Sequence, residues 1–194
     1  MTKDKILNVA LDMFGQFGYE DTALSDIAKT VGIKKPSIYN HFNSKEDIFR
    51  EVLDEVIRRE RAFFSEELKI ASDLTCEEQL RELFEQYNER MATSEVGLFW
   101  KRVTFFPPEC FAEVIKEKFK EVEGTFTEIL KDVFHKGKEE AVIRDLPFET
   151  LTASFYTVID GLFLERHFYG EDEYLLRKEA SWKVFWLGIQ HPEI

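Results

Sequence analysis

A chain of 194 residues with a formal net charge of −12 is a poor generic polyanion binder, because most of its surface repels nucleic acid. At 44% hydrophobic residues, with 19 Phe, it can bury a sizeable core, and only nine Gly and five Pro favour helices over a turn-rich β fold. No stretch approaches the roughly 20 uncharged apolar residues of a membrane span, no apolar run follows the opening M-T-K-D-K as in a secretory leader, and Cys76 and Cys110 make no disulfide framework, so a cytoplasmic protein is expected.

The first helix starts at Thr2, a plausible N-cap, and Ile6, Val9, Ala10, Met13, Phe14 and Phe17 repeat at helical spacing up to Gly18. Leu24, Ile27, Ala28 and Val31 then mark one face of a short helix that Gly32 ends. A second short helix spans about Lys35 to Phe42, with Pro36 in its first turn and Ile38 and Phe42 facing inward. Two such helices across a glycine turn form a helix-turn-helix, whose second helix can lie in the DNA major groove. Charge agrees: from Ile27 to Lys45 there is no Asp or Glu, while Lys29, Lys34, Lys35, Lys45 and His41 are present. Residues 1–50 carry seven Lys/Arg and seven Asp/Glu, so the whole −12 resides in residues 51–194, with 19 basic and 31 acidic residues.

The run from Ile6 to Asp47 resembles the DNA-binding head of tetracycline-repressor-like (TetR) regulators. The residues that carry the resemblance are I-L-N-V-A-L-D-M-F-G-Q-F-G-Y, T-A-L-S-D-I-A, V-G-I-K-K-P-S-I-Y-N-H-F and N-S-K-E-D, in that order and spacing. It covers about the first quarter of the chain; beyond it only length and helical layout are similar.

Ser44 to Asp47 reads as a capping box opening a helix with the stripe Ile48, Val52, Leu53, Val56 and Ile57, running to about Leu68. After a polar break at residues 72–75, Thr75 and Glu78 cap the next helix (Leu80, Leu83, Phe84, Tyr87, Met91). The run Val96–Phe106 follows, ended by Pro107 and Pro108; a long helix from about Pro108 to Lys136 has Gly137 as its expected stop. Two last helices span about Phe148–Tyr169 and Asp172–Ile189. The expectation is an all-α fold of about nine helices, with a three-helix DNA-binding head in residues 1–50 and a helical body in residues 51–194, which the resemblance makes an effector-binding and dimerisation domain.

A recognition helix needs planar or short polar groups for base edges, and cations or hydroxyls for phosphates. Lys35, Ser37, Tyr39, Asn40 and His41 supply both, with Lys35, Ser37 and Asn40 projecting away from Ile38 and Phe42. Lys45 sits in the first turn of its helix, where the macrodipole disfavours a cation unless a phosphate joins it. The resemblance implies that Tyr39 and Lys45 hold backbone phosphate and that Lys35, Pro36, Ser37 and His41 lie at the DNA surface; Thr22 and Ser25 are further candidates. Lys34 stands where a small capping residue is common and cannot accept from helix N–H groups, so it either meets a phosphate or is solvated.

An acidic body argues for docking on double-stranded DNA through the head alone, and one head with few phosphate contacts binds weakly. Two heads on a homodimer, reading half-sites of a palindromic operator, resolve this. The resemblance implies a dimer through the last two helices, with Trp182, Phe185, Trp186 and Ile189 against Phe155, Ile159, Leu162 and Phe163; ordinary core packing of these side chains is the competing reading. It also implies an effector pocket in the body. Candidates are Phe84, Tyr87, Phe99, Trp100, Phe105, Phe119, Phe126 and Tyr156, although an aromatic stripe is more often core. Arg102, inside an apolar run, either holds an anionic head group or pairs with a body carboxylate, the latter being favoured. An effector is then a small hydrophobic molecule, with or without an anionic head group, such as a fatty acyl compound.

Cofactor, metal and catalytic chemistry are not expected. His41, His135, His167 and His191 are scattered, and no phosphate loop, nucleophile elbow or dinucleotide fingerprint occurs. Residues Glu165–His167 with Glu171–Glu173 imitate a metal site but read as a solvated helix end. The resemblance thus implies a homodimeric repressor released by a small hydrophobic ligand. The alternative is a module sensing a hydrophobic ligand or protein partner whose DNA binding is constitutive or weak.

Overall fold

The computed structural model describes residues 2–68, 71 and 73–192, the side chain of residue 67 excepted; Ser72, the first residue of the expected polar break, lies outside them. The described residues form nine α-helices: α1 (Thr2–Phe17), α2 (Leu24–Val31), α3 (Lys35–Ile38), α4 (Lys45–Ala62), α5 (Cys76–Thr93), α6 (Glu95–Phe105), α7 (Ala112–Glu139), α8 (Phe148–Glu165) and α9 (Glu171–Ile189). Among them there is no strand ladder, only an isolated antiparallel bridge between Ile143 and Gln190. No described helix is long and apolar enough to cross a membrane.

Two compact units result. The first comprises Met1–Ser65 and Thr93–Val122, the second Glu66–Ala92 and Glu123–Ile194. The first therefore takes in α6 and the start of α7 besides α1 to α4.

The first unit is built on an aromatic cluster. Phe49 of α4 is fully buried, stacks on Phe111 with ring centroids 4.5 Å apart, and meets Phe14 and Tyr19 edge-on at 5.3 and 5.1 Å. Truncating a ring so enclosed to Ala costs about 3–5 kcal/mol. Burial, Glu46, Cys110 and Glu20 together push the Tyr19 phenol up to about 12. Helix α6 lies directly on α1. Gly15 permits this, because a side chain there would begin 3.3 Å from the Phe99 amide nitrogen and 3.3 Å from Leu98 Cγ.

In the second unit Phe84 packs on Trp182 at 5.2 Å, Trp182 stacks with Trp186 at 6.4 Å, and Phe126 meets Phe155 at 6.1 Å. Thr75 and Glu78 form the expected capping box: Glu78 Oε2 accepts from the Thr75 N–H at 2.8 Å, and Thr75 Oγ1 from the Glu78 N–H at 3.3 Å.

Several boundaries differ from expectation. The α geometry of α4 ends at Ala62 and gives way to a π-helical turn over Phe63–Glu67. Gly137 does not end α7. It lies buried inside the helix beside Cys76, and the chain leaves the helix at Ala141, whose φ is +54°. The carbonyl of Gly137 accepts from the Val142 and Ile143 N–H groups, as at a left-handed helix end. Helix α8 stops at Glu165 and tightens into i+3 turns over residues 166–168, short of Tyr169.

Candidate nucleic-acid interface

The helix-turn-helix forms from backbone signals. Gly32, at φ +83°, donates to the Ala28 and Lys29 carbonyls at 3.0 and 3.1 Å, and Ile33 N–H returns to Ala28 at 2.9 Å. Pro36 sits in the first turn of α3, and Lys34 occupies its N-cap without a side-chain hydrogen bond. Helix α3 is one turn rather than the two expected. After Ile38 the chain tightens: His41 N–H donates to the Ile38 carbonyl at 2.9 Å and Asn40 N–H to Ser37 at 3.4 Å.

Ile27, Ala28, Ile38 and Phe42 are buried and anchor this segment. On its outer side Lys34, Lys35, Pro36, Asn40 and His41 are exposed, Tyr39 is 52% exposed and Ser37 half-buried. Among the described residues no ion pair engages Lys34, Lys35 or His41. Ser25, at the start of α2, is exposed.

Two candidates are placed otherwise. Thr22 is fully buried, its hydroxyl donating to the Gly18 carbonyl at 2.7 Å and the Met13 carbonyl at 3.3 Å, so it fastens the α1–α2 turn and presents nothing at the surface. Lys45 is half-buried and turned inward. Its Nζ donates to the Tyr19 carbonyl at 2.8 Å and to Glu20 at 3.3 Å, and stands 4.2 Å from the Tyr19 ring centroid. Just before it Ser44 caps α4, accepting from the Asp47 N–H at 3.1 Å, while Asp47 reaches back to the Asn43 N–H rather than to Ser44. The signal for the inward lysine was present in the sequence: the last turn of α1 has no basic residue of its own.

The effector candidates divide between the two units. In the first, Trp100 is buried and meets Phe119 edge-on at 5.8 Å, Phe99 is enclosed, and Phe105 and Phe119 are partly exposed. In the second, Tyr87 stacks on Phe126 at 5.3 Å, Phe126 meets Tyr156 at 6.0 Å, and Phe84 is core. The Tyr156 hydroxyl lies 2.8 Å from Thr127 Oγ1 and donates to the Glu123 carbonyl at 3.0 Å; burial raises its pKa. Among the described residues Arg102 pairs with no carboxylate. Its guanidinium donates to backbone carbonyls, Gln16 at 2.6 Å and Gly15 at 3.4 Å, and lies over Phe106.

The aromatic stripe of the last two helices faces inward. Phe155, Ile159, Leu162, Trp182, Phe185, Trp186 and Ile189 are buried within the protomer and Phe163 is half-buried. The outward apolar stripe of α9 is instead Leu176, Val184 and Leu187, exposed by 69, 71 and 51%. Beside it a groove of about 590 Å³ runs between α8 and α9, lined by Ser154, Val158, Ala180, Ser181, Val184 and Gly188 among others.

Residues 6–52, the three head helices and the start of α4, match the family described as bacterial regulatory proteins, tetR family. That stretch, about a quarter of the chain, is similar to the heads of tetR-family regulators. Its head is 46% identical over 52 residues to the biofilm operon icaADBC negative transcriptional regulator IcaR of Staphylococcus epidermidis, a stretch covering 27% of this chain and 28% of that protein. The chain thus spans about a quarter of the length of the curated relatives it matches. Likeness of fold extends further. A TetR transcriptional regulator from Chloroflexus aurantiacus superposes with a TM-score of 0.76 at 18% identity, over 98% of this chain and 96% of that one. A transcriptional regulator from Saccharomonospora viridis in complex with choline gives 0.76 at 20% identity over 97% of each chain.

Proposed function

We propose that the protein is a DNA-binding transcriptional regulator of the tetR family, acting as a homodimeric repressor on a palindromic operator and released by a small hydrophobic molecule. Residues 1–50 are the DNA-binding domain and residues 51–194 the effector-binding and dimerisation domain. The observation that carries this reading is the exposed, acid-free segment Lys34–His41, backed by buried Ile38 and Phe42, inside the stretch that matches the family. Lys34 and Lys35 hold phosphates beside the Tyr39 hydroxyl, Ser37 and Asn40 face base edges, and Pro36, His41 and Ser25 flank them. The negative regulation named for the IcaR relatives supports repression.

Two protomers associate through the outward stripe Leu176–Val184–Leu187 and the groove beside it. Such an apolar stripe on an otherwise charged helix is a liability on a monomer. An effector lies with its apolar part among Tyr87, Phe126 and Tyr156 in the second unit. It shifts the equilibrium between head arrangements only through different affinities for them.

A mobility-shift titration at low salt, with the DNA upstream of the protein's own gene, tests the reading. The wild type is expected to shift that fragment and the Lys35→Ala/Tyr39→Ala variant to shift it far less; indifference to both substitutions defeats it. Native mass spectrometry of the purified protein reports whether a small molecule accompanies it.

A further inference from the structure

Helix α6 is apolar on both faces. It buries Val96, Phe99, Trp100 and Val103 on one side, while Leu98 and Phe105, two turns apart and nearly in line, stay exposed on the other. Phe106, which ends the helix, is 70% exposed, and Phe17, the last residue of α1, is exposed as well. Arg102 links them. Its guanidinium lies 5.7 Å from the Phe106 ring centroid and donates to the Gln16 carbonyl at 2.6 Å, next to Phe17. Pro107 and Pro108 follow directly, and a residue before proline has few backbone conformations, so Phe106 is presented rigidly. A helix apolar all round is one that other atoms cover, and an exposed apolar patch of this kind marks a contact with another molecule. All of these residues lie in the first unit.

The charge of this face is opposite to that of the chain. From Val96 to Pro108 there is no Asp or Glu, in a chain of net charge −12. At 3.6 residues per turn, Lys101 and Arg102 fall on either side of the line from Leu98 to Phe105. Burial and the neighbouring Arg102 charge both lower the pKa of Lys101, and among the described residues Arg102 pairs with no carboxylate. Positive charge therefore flanks the apolar line, and an arriving carboxylate compensates it. We propose that the Leu98–Phe105–Phe106 face of α6, with Phe17 beside it, is a docking surface for an acidic amphipathic helix of another protein. The helix lays its apolar side on the rings and its carboxylates against Lys101 and Arg102. The phosphate backbone of DNA meets the cations but offers the rings no apolar cover. The proposal goes beyond the DNA-binding reading and stands without it.

Fluorescence anisotropy on the full chain tests it, with a labelled helical peptide that carries leucines on one face and glutamates on the other. The peptide is expected to bind saturably, and less tightly as salt rises. The same peptide with lysine for every glutamate is expected not to bind. Phe17→Ser/Phe106→Ser removes two exposed rings, so the thermal midpoint is expected to hold while peptide affinity falls by about tenfold or more. The mobility shift with the DNA upstream of the protein's own gene is expected to be the same for this variant as for the wild type. Absence of saturable binding, equal binding of the lysine peptide, or an affinity untouched by the double substitution overturns the proposal. Two further outcomes assign the face to another occupant and overturn it equally: self-association of the wild type that the double substitution abolishes, which places a second copy there, and co-sedimentation with phosphatidylglycerol vesicles that it abolishes, which places a lipid surface there. A wild type that binds the peptide but shifts no DNA removes the DNA-binding reading and leaves this one standing.

Discussion

A side chain at Gly137 would begin 2.4 Å from the Sγ of Cys76, so α5 and α7 approach as closely as a glycine allows. Real carbon and sulfur atoms do not come that near, and the obstacle is a short buried side chain rather than a flexible tip. Gly137→Ala is therefore expected to lower stability by about 1–3 kcal/mol, read as a fall in the denaturation midpoint. Because the clash is with one atom, Cys76→Ala in the same chain is expected to recover much of the loss, a non-additivity that contacting residues show.

The two thiols are expected to react very differently. Burial pushes the Cys76 thiol up to about 11, and its Sγ sits 3.6 Å from the Val133 carbonyl, whereas Cys110 is exposed. A maleimide or disulfide reagent at pH 8 should modify one thiol per native chain, Cys110, and reach the second only in denaturant. Equal reactivity of both in the native protein would contradict the packing described for α5 and α7.

The Ser44 side chain caps the first turn of α4, accepting from the Asp47 N–H. Ser44→Ala is expected to cost about 1 kcal/mol of stability. It should also weaken DNA binding modestly, since α4 follows directly on the exposed segment.

The outward stripe of α9 is separable from its core face. Val184 is 71% exposed while Trp182 and Phe185 are buried. Val184→Glu should leave helical content and thermal midpoint of the protomer nearly unchanged but shift sedimentation from dimer to monomer. Retention of the dimer would remove α9 from the proposed interface.

The helices themselves are legible in the sequence, because apolar spacing and capping residues are local properties. Leu24–Val31 with Gly32 and the Thr75–Glu78 box stand where those signals place them. What is not legible depends on distant atoms. Gly137 looks like a helix stop until Cys76, brought up from another helix, is seen to need its missing side chain. The aromatic stripe of α8 and α9 announces burial but not whether the burial is within a protomer or between two, and it is within. Arg102 invites a carboxylate or an anionic ligand as partner because side chains are all that a sequence displays; its partners are backbone carbonyls at a helix end. Helix α3 stops early because nothing apolar follows Ile38 until Phe42, and three polar residues leave the turn free to tighten.

The central claim is that the segment Lys34–His41 docks on DNA through its cations. The most direct measurement is the salt dependence of binding to the DNA upstream of the protein's own gene, compared between wild type and Lys34→Ala/Lys35→Ala. Two lost phosphate contacts are expected to lower the slope of log affinity against log salt by about 1.8 per head. An unchanged slope and affinity would place the DNA contact elsewhere and contradict the account.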